Sequence, residues 1–303
     1  MITIAQVRKS FDAVTALDGV SLGIEKGERV AFVGANGSGK TTLLRAMLGL
    51  VQVEGKITIA GSDVAREPEI AMRSVAYIPQ IAPPIDAPVS EVVKACAALR
   101  GRPIEAIRER AERLGLSMGI VAGKRFRDLS GGMKQKLLAA MALAAETPIL
   151  VCDEPTANLD GAARAAFFEQ LEERPATGIV VLCSHRIEEV RQIVGRVVEL
   201  AEGKIVRDAS LTELLRDLRA FRVEVAVRDG GDELVAKLLA LGFSGAGSRR
   251  YAAHVSQGEK VGLVTRLLKE HEDSLADLSV VPVDDFSVAA GAMRPRPRLE
   301  VVA

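Results

Sequence analysis

The chain has 303 residues, enough for one large domain and a smaller one with a sizeable apolar core. Its 40 basic and 40 acidic residues balance, which excludes the basic excess typical of nucleic-acid-binding proteins. No apolar run is long enough to cross a bilayer, and no signal-peptide pattern begins the chain. The three cysteines (Cys96, Cys152 and Cys183) lack metal-ligand spacing, so we expect buried core thiols in a reducing compartment.

Short β-rich runs separated by turns begin the chain. These predicted strands are 2–7, 20–24, 29–33, 56–59 and 74–78. A proline-rich loop follows, and then come three helical patterns, 90–99, 103–114 and 131–145. Beyond them, strands and helices alternate over 149–153, 162–172, 179–184, 187–194 and 197–200. The alternation predicts a mostly parallel sheet with helices on its faces, and the stretch 85–146 predicts a separate helical lobe.

A glycine-rich motif follows the strand 29–33 and opens the helical pattern 42–50. It has the form Gly-x4-Gly-Lys-[Ser/Thr], and its residues are Gly34, Ala35, Asn36, Gly37, Ser38, Gly39, Lys40, Thr41 and Thr42. The glycines let backbone N–H groups turn toward phosphate oxygens, and Lys40 can reach the terminal phosphates. Thr41 offers a hydroxyl to Mg²⁺. The motif therefore predicts a nucleotide-phosphate site.

Two carboxylates, Asp153 and Glu154, end the apolar run that begins at residue 149. A buried parallel strand would deliver both to the edge of the sheet at which the phosphate loop opens. We expect Asp153 to hold Mg²⁺ through water and Glu154 to polarise the water that attacks the γ-phosphate. The alternative, a strand that merely ends in acidic residues, has little support once the phosphate loop is present in the same chain.

The sequence Leu129-Ser130-Gly131-Gly132-Met133-Lys134-Gln135 resembles the signature of the ATP-binding-cassette (ABC) family, and the resemblance covers residues 1–208. Ser130 would cap a helix whose exposed N–H groups, at Gly131 and Gly132, present a partial positive charge. In the family this helix start reaches the γ-phosphate bound by another subunit, so two ATP molecules join a head-to-tail dimer. Met133 departs from the usual glutamine.

Four further matches support the resemblance. Gln80 resembles the family glutamine that contacts Mg²⁺ and signals to the membrane subunit, and Asp160 lies in the loop that touches the opposite subunit. His185 resembles the histidine that contacts the γ-phosphate and orients the attacking water. Phe11 resembles the aromatic residue that stacks on adenine, with Phe in place of the commoner Tyr; a core-packing Phe is the alternative. The resemblance thus implies a competent ATPase with ATP and Mg²⁺ as cofactors.

The pattern changes after the cassette. Strands are predicted at 221–227, 250–255 and 278–283, and helices at 232–241 and 258–270. These elements predict a small α/β domain over 209–288, in which the sequence shows no chemistry. The basic tail, 289–303, is expected to be disordered.

The resemblance implies an ATPase subunit of a transporter. Integral membrane permease subunits would supply the pathway, and a second ATPase subunit, most simply an identical copy, would complete the dimer. We expect a peripheral location at the cytoplasmic face of the inner (plasma) membrane and no nucleic-acid partner. The rivals are a soluble mechanical or nucleic-acid cassette ATPase and a different P-loop enzyme. Neither fits, because no long coiled-coil insertion, tandem cassette or basic bias is present, and a kinase or GTPase lacks the Ser-Gly-Gly helix start.

A single cassette followed by a small α/β extension resembles the exporter-type branch of the family. Its length and tail are similar to the ATPase subunit associated with maturation of the copper-containing nitrous oxide reductase. The Asp284-Asp285-Phe286 ending resembles a sequence common in that branch. Import stays open, since importer subunits also carry C-terminal extensions. The transported substrate is not encoded in this subunit, because the path of the cargo lies in the partner.

Overall fold

The computed structural model describes residues 1–184, 193–217 and 221–282. The described residues form two compact units, one comprising 1–184 with 193–208 and the other 209–217 with 221–282. Most of the predicted helix 187–194, the Asp284-Asp285-Phe286 sequence and the predicted tail 289–303 lie outside these ranges.

An antiparallel sheet occupies the beginning of the first unit. Its strands are β1 (Ile2–Phe11), β2 (Val14–Ile24), β4 (Glu54–Ile59) and β5 (Ser62–Asp63), in the order β2-β1-β4-β5. The first two strands are longer than the predicted runs, because they continue as a hairpin until Phe11 pairs with Val14. Register shifts interrupt this hairpin, which obscured the apolar alternation in the sequence.

A second sheet forms the centre of the first unit. Its strands are β3 (Arg29–Val33), β6 (Val75–Ile78), β7 (Ile149–Asp153), β8 (Ile179–Cys183), β9 (Arg196–Ala201) and β10 (Lys204–Ser210), in the order β10-β9-β3-β8-β7-β6. From β9 to β6 in this order, each strand pairs in parallel with the next. Every residue of β7 and β8 is buried, which is the pattern of strands covered on both faces. The predicted α/β fold with a mostly parallel sheet is confirmed.

Seven helices are described in this unit: α1 (Lys40–Met47), α2 (Pro68–Arg73), α3 (Val89–Arg100), α4 (Ile104–Arg113), α5 (Met118–Val121), α6 (Gly131–Ala144) and α7 (Gly161–Glu172). Helices α3 to α6 lie between β6 and β7 in the chain and form the helical lobe, with α4 packed along α6. From Leu137 to Ala144, every residue of α6 is buried. A helix that is apolar on all sides is a core element, so α6 connects the lobe to the sheet.

The second unit has its own core. It contains α8 (Leu211–Asp217), β11 (Phe221–Val227), α9 (Asp232–Ala240), β12 (Ser244–Gly247), β13 (Arg250–Val255), α10 (Gln257–His271) and β14 (Leu275–Pro282). The strands pair antiparallel in the order β12-β13-β11-β14. From β11 onward the sequence of elements is β-α-β-β-α-β, so this is a ferredoxin-like split βαβ arrangement. Val223, Val225 and Val227 face its core.

The cysteines occupy two different environments. Cys152 and Cys183 are buried in β7 and β8, and burial raises the pKa of the Cys152 thiol to about 12 and that of Cys183 well above its usual value. Cys96 lies on α3 and is only half-buried, so its expected place in the core was wrong. Within the described ranges, no helix has the length and apolarity needed to span a membrane.

Candidate functional site

The glycine-rich loop connects β3 to α1 in a conformation that requires glycine. Gly34 and Gly39 have φ values of 140° and 104°. A Cβ at Gly34 would lie 2.2 Å from the carbonyl oxygen of Leu200, and one at Gly39 would lie 2.5 Å from that of Ala16. Both positions therefore exclude any side chain. The loop can consequently present its backbone N–H groups to an anion at the start of α1.

The ammonium group of Lys40 lies inside this loop. Its Nζ donates to the carbonyl oxygens of Gly34 at 2.7 Å and Ala35 at 2.9 Å, and to Ser38 Oγ at 3.5 Å. Lys40 is only 8% exposed. A nearly buried cation beside a helix N-terminus makes the loop a strongly electropositive anion site.

Thr41 and Asp153 meet where α1 begins and β7 ends. Thr41 Oγ1 donates to Asp153 Oδ1 at 3.5 Å, and the Asp153 side chain is buried. Burial raises the pKa of Asp153 and nearby Glu154 adds to the increase, whereas the hydrogen bond from Thr41 opposes it. A hydroxyl and a carboxylate side by side are oxygen donors that fit Mg²⁺, which completes its shell with water and phosphate oxygens.

Glu154 follows β7 in a backbone conformation that is rare for its residue type. Its φ is 49°, and its N–H donates to the carbonyl oxygen of Cys183 at 3.0 Å. A non-glycine residue with positive φ costs about 1–3 kcal/mol and persists where the surrounding structure enforces it. The sequence placed the carboxylate at the strand end but gave no sign of this strained conformation.

Gln80 is exposed and lies two residues beyond β6. Since β6 pairs in parallel with β7, with Ile78 opposite Cys152, both strands end at the same edge of the sheet. That edge also carries the ends of β3 and β8. The structure thus brings the loops bearing Gln80, Lys40 and Glu154 to one edge. His185 lies outside the described residues, directly after Ser184.

The Ser-Gly-Gly segment begins α6 as expected. Ser130 Oγ accepts the backbone N–H of Met133 at 3.2 Å, which is an N-cap. Asp160 caps α7 by accepting the N–H of Ala163 at 2.9 Å, and its other oxygen accepts from Lys136 Nζ at 2.9 Å. The two segments adjoin a cavity of about 370 Å³ whose lining includes Ser130, Gly132, Asn158 and Asp160. They are therefore neighbours within one chain.

Phe11 ends β1 with 48% of its surface exposed. The Nζ of Lys9 lies 4.9 Å from the centroid of the Phe11 ring. This exposure does not fit the alternative of a core-packing Phe. An exposed π face with an adjacent cation can stack on a heteroaromatic ring.

Gln135 is a buried polar residue to which the sequence alone assigned no role. Only 2% of it is exposed, and its Nε2 donates to the carbonyl oxygens of Pro155 at 3.0 Å and Pro79 at 3.4 Å. The available signal was a glutamine at the start of the apolar stretch of α6. Its two partners could not be identified without the fold.

Comparison with known proteins places this geometry in a family. A family profile described as "ABC transporter" matches residues 17–157. A Nod factor export ATP-binding protein I from Azorhizobium caulinodans is 30% identical, over 75% of this chain and 74% of that protein. A putative ABC transporter ATP-binding protein from Streptomyces coelicolor is 35% identical over 71% of this chain. The ABC transporter ced-7 of Caenorhabditis elegans is 32% identical over 63%.

Solved structures agree with these relatives. An ATP-binding subunit of an ABC transporter has a TM-score of 0.64 at 26% identity, covering 71% of this chain and 92% of its own. A bacterial ABC transporter cassette described as dimeric has a TM-score of 0.61 at 26% identity, covering 70% and 99%. The chain spans 39% of the Streptomyces relative and 11% of ced-7, which are longer proteins. It nevertheless covers 92% and 99% of the two solved chains, and it therefore belongs to the ABC transporter family.

Proposed function

We propose that this chain is the ATP-hydrolysing subunit of an ABC exporter and drives substrate movement through separate membrane subunits. The observation that carries the proposal is the hydrogen bond between Thr41 and Asp153, at the sheet edge where the glycine-rich loop opens. Glu154, the next residue in the chain, lies at the same edge. This arrangement supports phosphate binding, metal binding and water activation in one place.

Each residue has a distinct part in the proposed hydrolysis. Lys40 and the loop N–H groups bind the phosphates. Thr41 and Asp153, with Gln80, would hold Mg²⁺, which would neutralise charge that develops on the phosphate oxygens. Glu154 accepts a proton from the attacking water. His185 contacts the γ-phosphate, and the exposed ring of Phe11 stacks on adenine.

A head-to-tail dimer completes each site. The N-terminus of α6 carries the Ser130 cap and the N–H groups of Gly131 and Gly132, and it binds the γ-phosphate held by a second copy. Asp160 lies beside it in the loop that meets the opposite subunit. The dimeric state described for a related cassette supports this arrangement.

The direction of transport is proposed from the names of the relatives. Several relatives are named Nod factor export ATP-binding proteins and cover most of this chain. We propose permease subunits as membrane partners, contacted through the Gln80 loop and the helical lobe, and a peripheral position on the cytoplasmic face of the inner membrane. The narrower resemblance to the subunit for nitrous oxide reductase maturation stays a prediction. Co-purification of the tagged chain with a multi-span membrane protein tests this part.

The decisive experiment on hydrolysis replaces Glu154 with glutamine. Glu154→Gln keeps the size of the side chain but removes the base, so kcat falls by about 10²–10⁴-fold while ATP still binds and the dimer forms. Glu169→Gln, an exposed position on α7, is the matched control and retains wild-type turnover. Phosphate release and gel filtration with ATP measure the two effects. Wild-type turnover by Glu154→Gln would refute the assignment.

A further inference from the structure

Helix α6 contacts two catalytic loops of its own chain through a single side chain. Gln135 Nε2 donates one N–H to the carbonyl oxygen of Pro155 and the other to that of Pro79. Pro155 follows Glu154 directly, and Pro79 directly precedes Gln80. One buried amide therefore bridges the loop after β6 and the loop after β7, each within one residue of a proposed functional side chain.

The bridge is specific to an amide of this length. Both acceptors are backbone carbonyls, so a donor with two N–H groups on one nitrogen is required. Gln135 is 2% exposed, so water does not substitute for it if the donor is removed. The prolines fix φ at both positions, which reduces the number of conformations open to each loop. These properties favour one fixed distance between the two loops.

Two other contacts attach the same part of α6 to the loop after β7. Gly132 packs so closely on that loop that a Cβ would lie 2.9 Å from the carbonyl oxygen of Asn158. Lys136 forms its ion pair with Asp160. Gln135 differs from both, because it alone of the three also reaches the loop that carries Gln80. The first turns of α6 and the loop after β7 thus form one packed unit, to which Gln135 adds the loop after β6.

We propose that Gln135 is a positioning residue for ATP hydrolysis, setting the separation of Gln80 and Glu154 around the γ-phosphate. This rests on the proposed function. Gln135 contacts neither the glycine-rich loop nor Phe11 through its recorded hydrogen bonds, so it acts on the chemical step and not on nucleotide affinity.

The test replaces Gln135 with methionine in the full-length chain. Gln135→Met keeps the length of the side chain but donates no hydrogen bond, so we expect kcat to fall about tenfold or more, since displacement of catalytic groups by about 1 Å costs up to about 100-fold. The KM for ATP stays within about twofold. Steady-state ATPase assays measure both.

Gln170 provides a matched control. It is a glutamine on α7, equally buried, whose recorded hydrogen bond is with Arg110 and involves no catalytic loop. Gln170→Met makes the same chemical change and leaves kcat and KM at wild-type values. If both variants lose activity in proportion to lost thermal stability, Gln135 is merely structural and the proposal is wrong.

Other experimental outcomes also decide whether Gln135 positions the two loops. Wild-type kcat in Gln135→Met overturns the proposal. If that variant does not fold, Gln135→Asn replaces it: the shortened amide cannot span both loops, so reduced kcat at an unchanged melting temperature supports positioning and wild-type kcat refutes it. Absence of ATPase activity in the wild-type chain, with or without its membrane partner, would instead refute the proposed function.

Discussion

The two units use β-sheets of opposite character. The parallel strands β7 and β8 are buried along their whole length, because both faces of their sheet are covered. In β11 of the second unit, buried and more exposed residues alternate, because helices cover one face only. The proposed catalytic residues that the structure describes all belong to the first unit. A parallel sheet brings several strand ends to one edge, whereas an antiparallel sheet sends neighbouring ends to opposite edges.

This difference between the two sheets explains where buried polar side chains occur. In the first unit, buried polar side chains such as Lys40, Gln135 and Asp153 have partners supplied by loops at the carboxyl edge of the sheet. The recorded ion pairs of the second unit are surface pairs such as Lys237 with Glu270. Substitutions in the loops at the carboxyl edge of the first unit's parallel sheet should therefore alter stability together with nucleotide binding or turnover, and those in the second unit should alter stability alone.

The largest contrast in stability is expected between alanine substitutions of one glycine in each unit. Gly39→Ala would place a Cβ against the carbonyl oxygen of Ala16 at a positive φ, so the free energy of unfolding should fall by about 3 kcal/mol and nucleotide binding should be lost. Gly262→Ala lies in α10 with open space around it and should add about 0.5–1 kcal/mol. Urea unfolding followed by circular dichroism measures both, and equal effects would contradict the comparison.

Asp153→Asn should change the stability by a smaller amount, with a gain in the absence of nucleotide and a loss in the presence of Mg-ATP. Its pKa is raised by burial, so its contribution to stability is present at low pH and is lost as the pH rises through the folded-state pKa. Asp153→Asn should therefore stabilise the nucleotide-free protein at pH 7 by about 1 kcal/mol. It should also abolish the stabilisation by Mg-ATP, about 2.7 kcal/mol at 100 times Kd.

Differential scanning fluorimetry at pH 7, with and without Mg-ATP, measures both effects of Asp153→Asn. Asp277→Asn, at an exposed position of β14, is the control and should change neither. A variant that lost stability without nucleotide, or kept its stabilisation by Mg-ATP, would show that the buried carboxylate has another role.

The smallest expected effect on stability comes from the removal of surface ion pairs. Glu173 accepts hydrogen bonds from Arg110 and Arg113, which lower its pKa from 4.5 to about 2. Its stabilisation is therefore present above pH 4.5 and is lost as the pH falls toward 2. Because the pair is exposed, Glu173→Gln should cost below about 1 kcal/mol at pH 7.

Glu270→Gln in the second unit removes a single pair with Lys237 and should cost less than Glu173→Gln. Urea unfolding at pH 7 and pH 4, with and without added salt, compares the two variants. Both differences from the wild type should shrink in salt. A larger loss in Glu270→Gln would reverse the expected ranking.

The regular elements of the fold were predictable where hydrophobic pattern and packing agree. Strands β7, β11 and β13 match their predicted bounds, since each is a strongly patterned run between turns. Six of the described elements were missed: α2 and β12, together with β5, α5, β10 and α8. Only Ala71 of α2 is buried, and β12 reads Ser-Gly-Ala-Gly, an exposed strand held by pairing with β13. Their sequences carry no periodicity from which to predict them.

The candidate site likewise has features that the sequence predicts and features that it does not. The positions of Lys40, Asp153 and Ser130 follow from local motifs, because a loop or a cap is formed by residues near in sequence. The bridge from Gln135 and the positive φ of Glu154 depend on segments far apart in the chain. Tertiary packing creates these features, so the sequence could not reveal them.

The unequal burial of the thiols has a practical consequence. Cys152 and Cys183 are buried and kept protonated, so alkylating reagents should spare them in the folded protein. Cys96, the half-buried third thiol, lies on α3 of the helical lobe. Burial raises the pKa of Cys96 as well, but its partial exposure makes it the preferred position among the three for a single fluorophore. Such a dye would report changes in the surroundings of α3 when nucleotide is added.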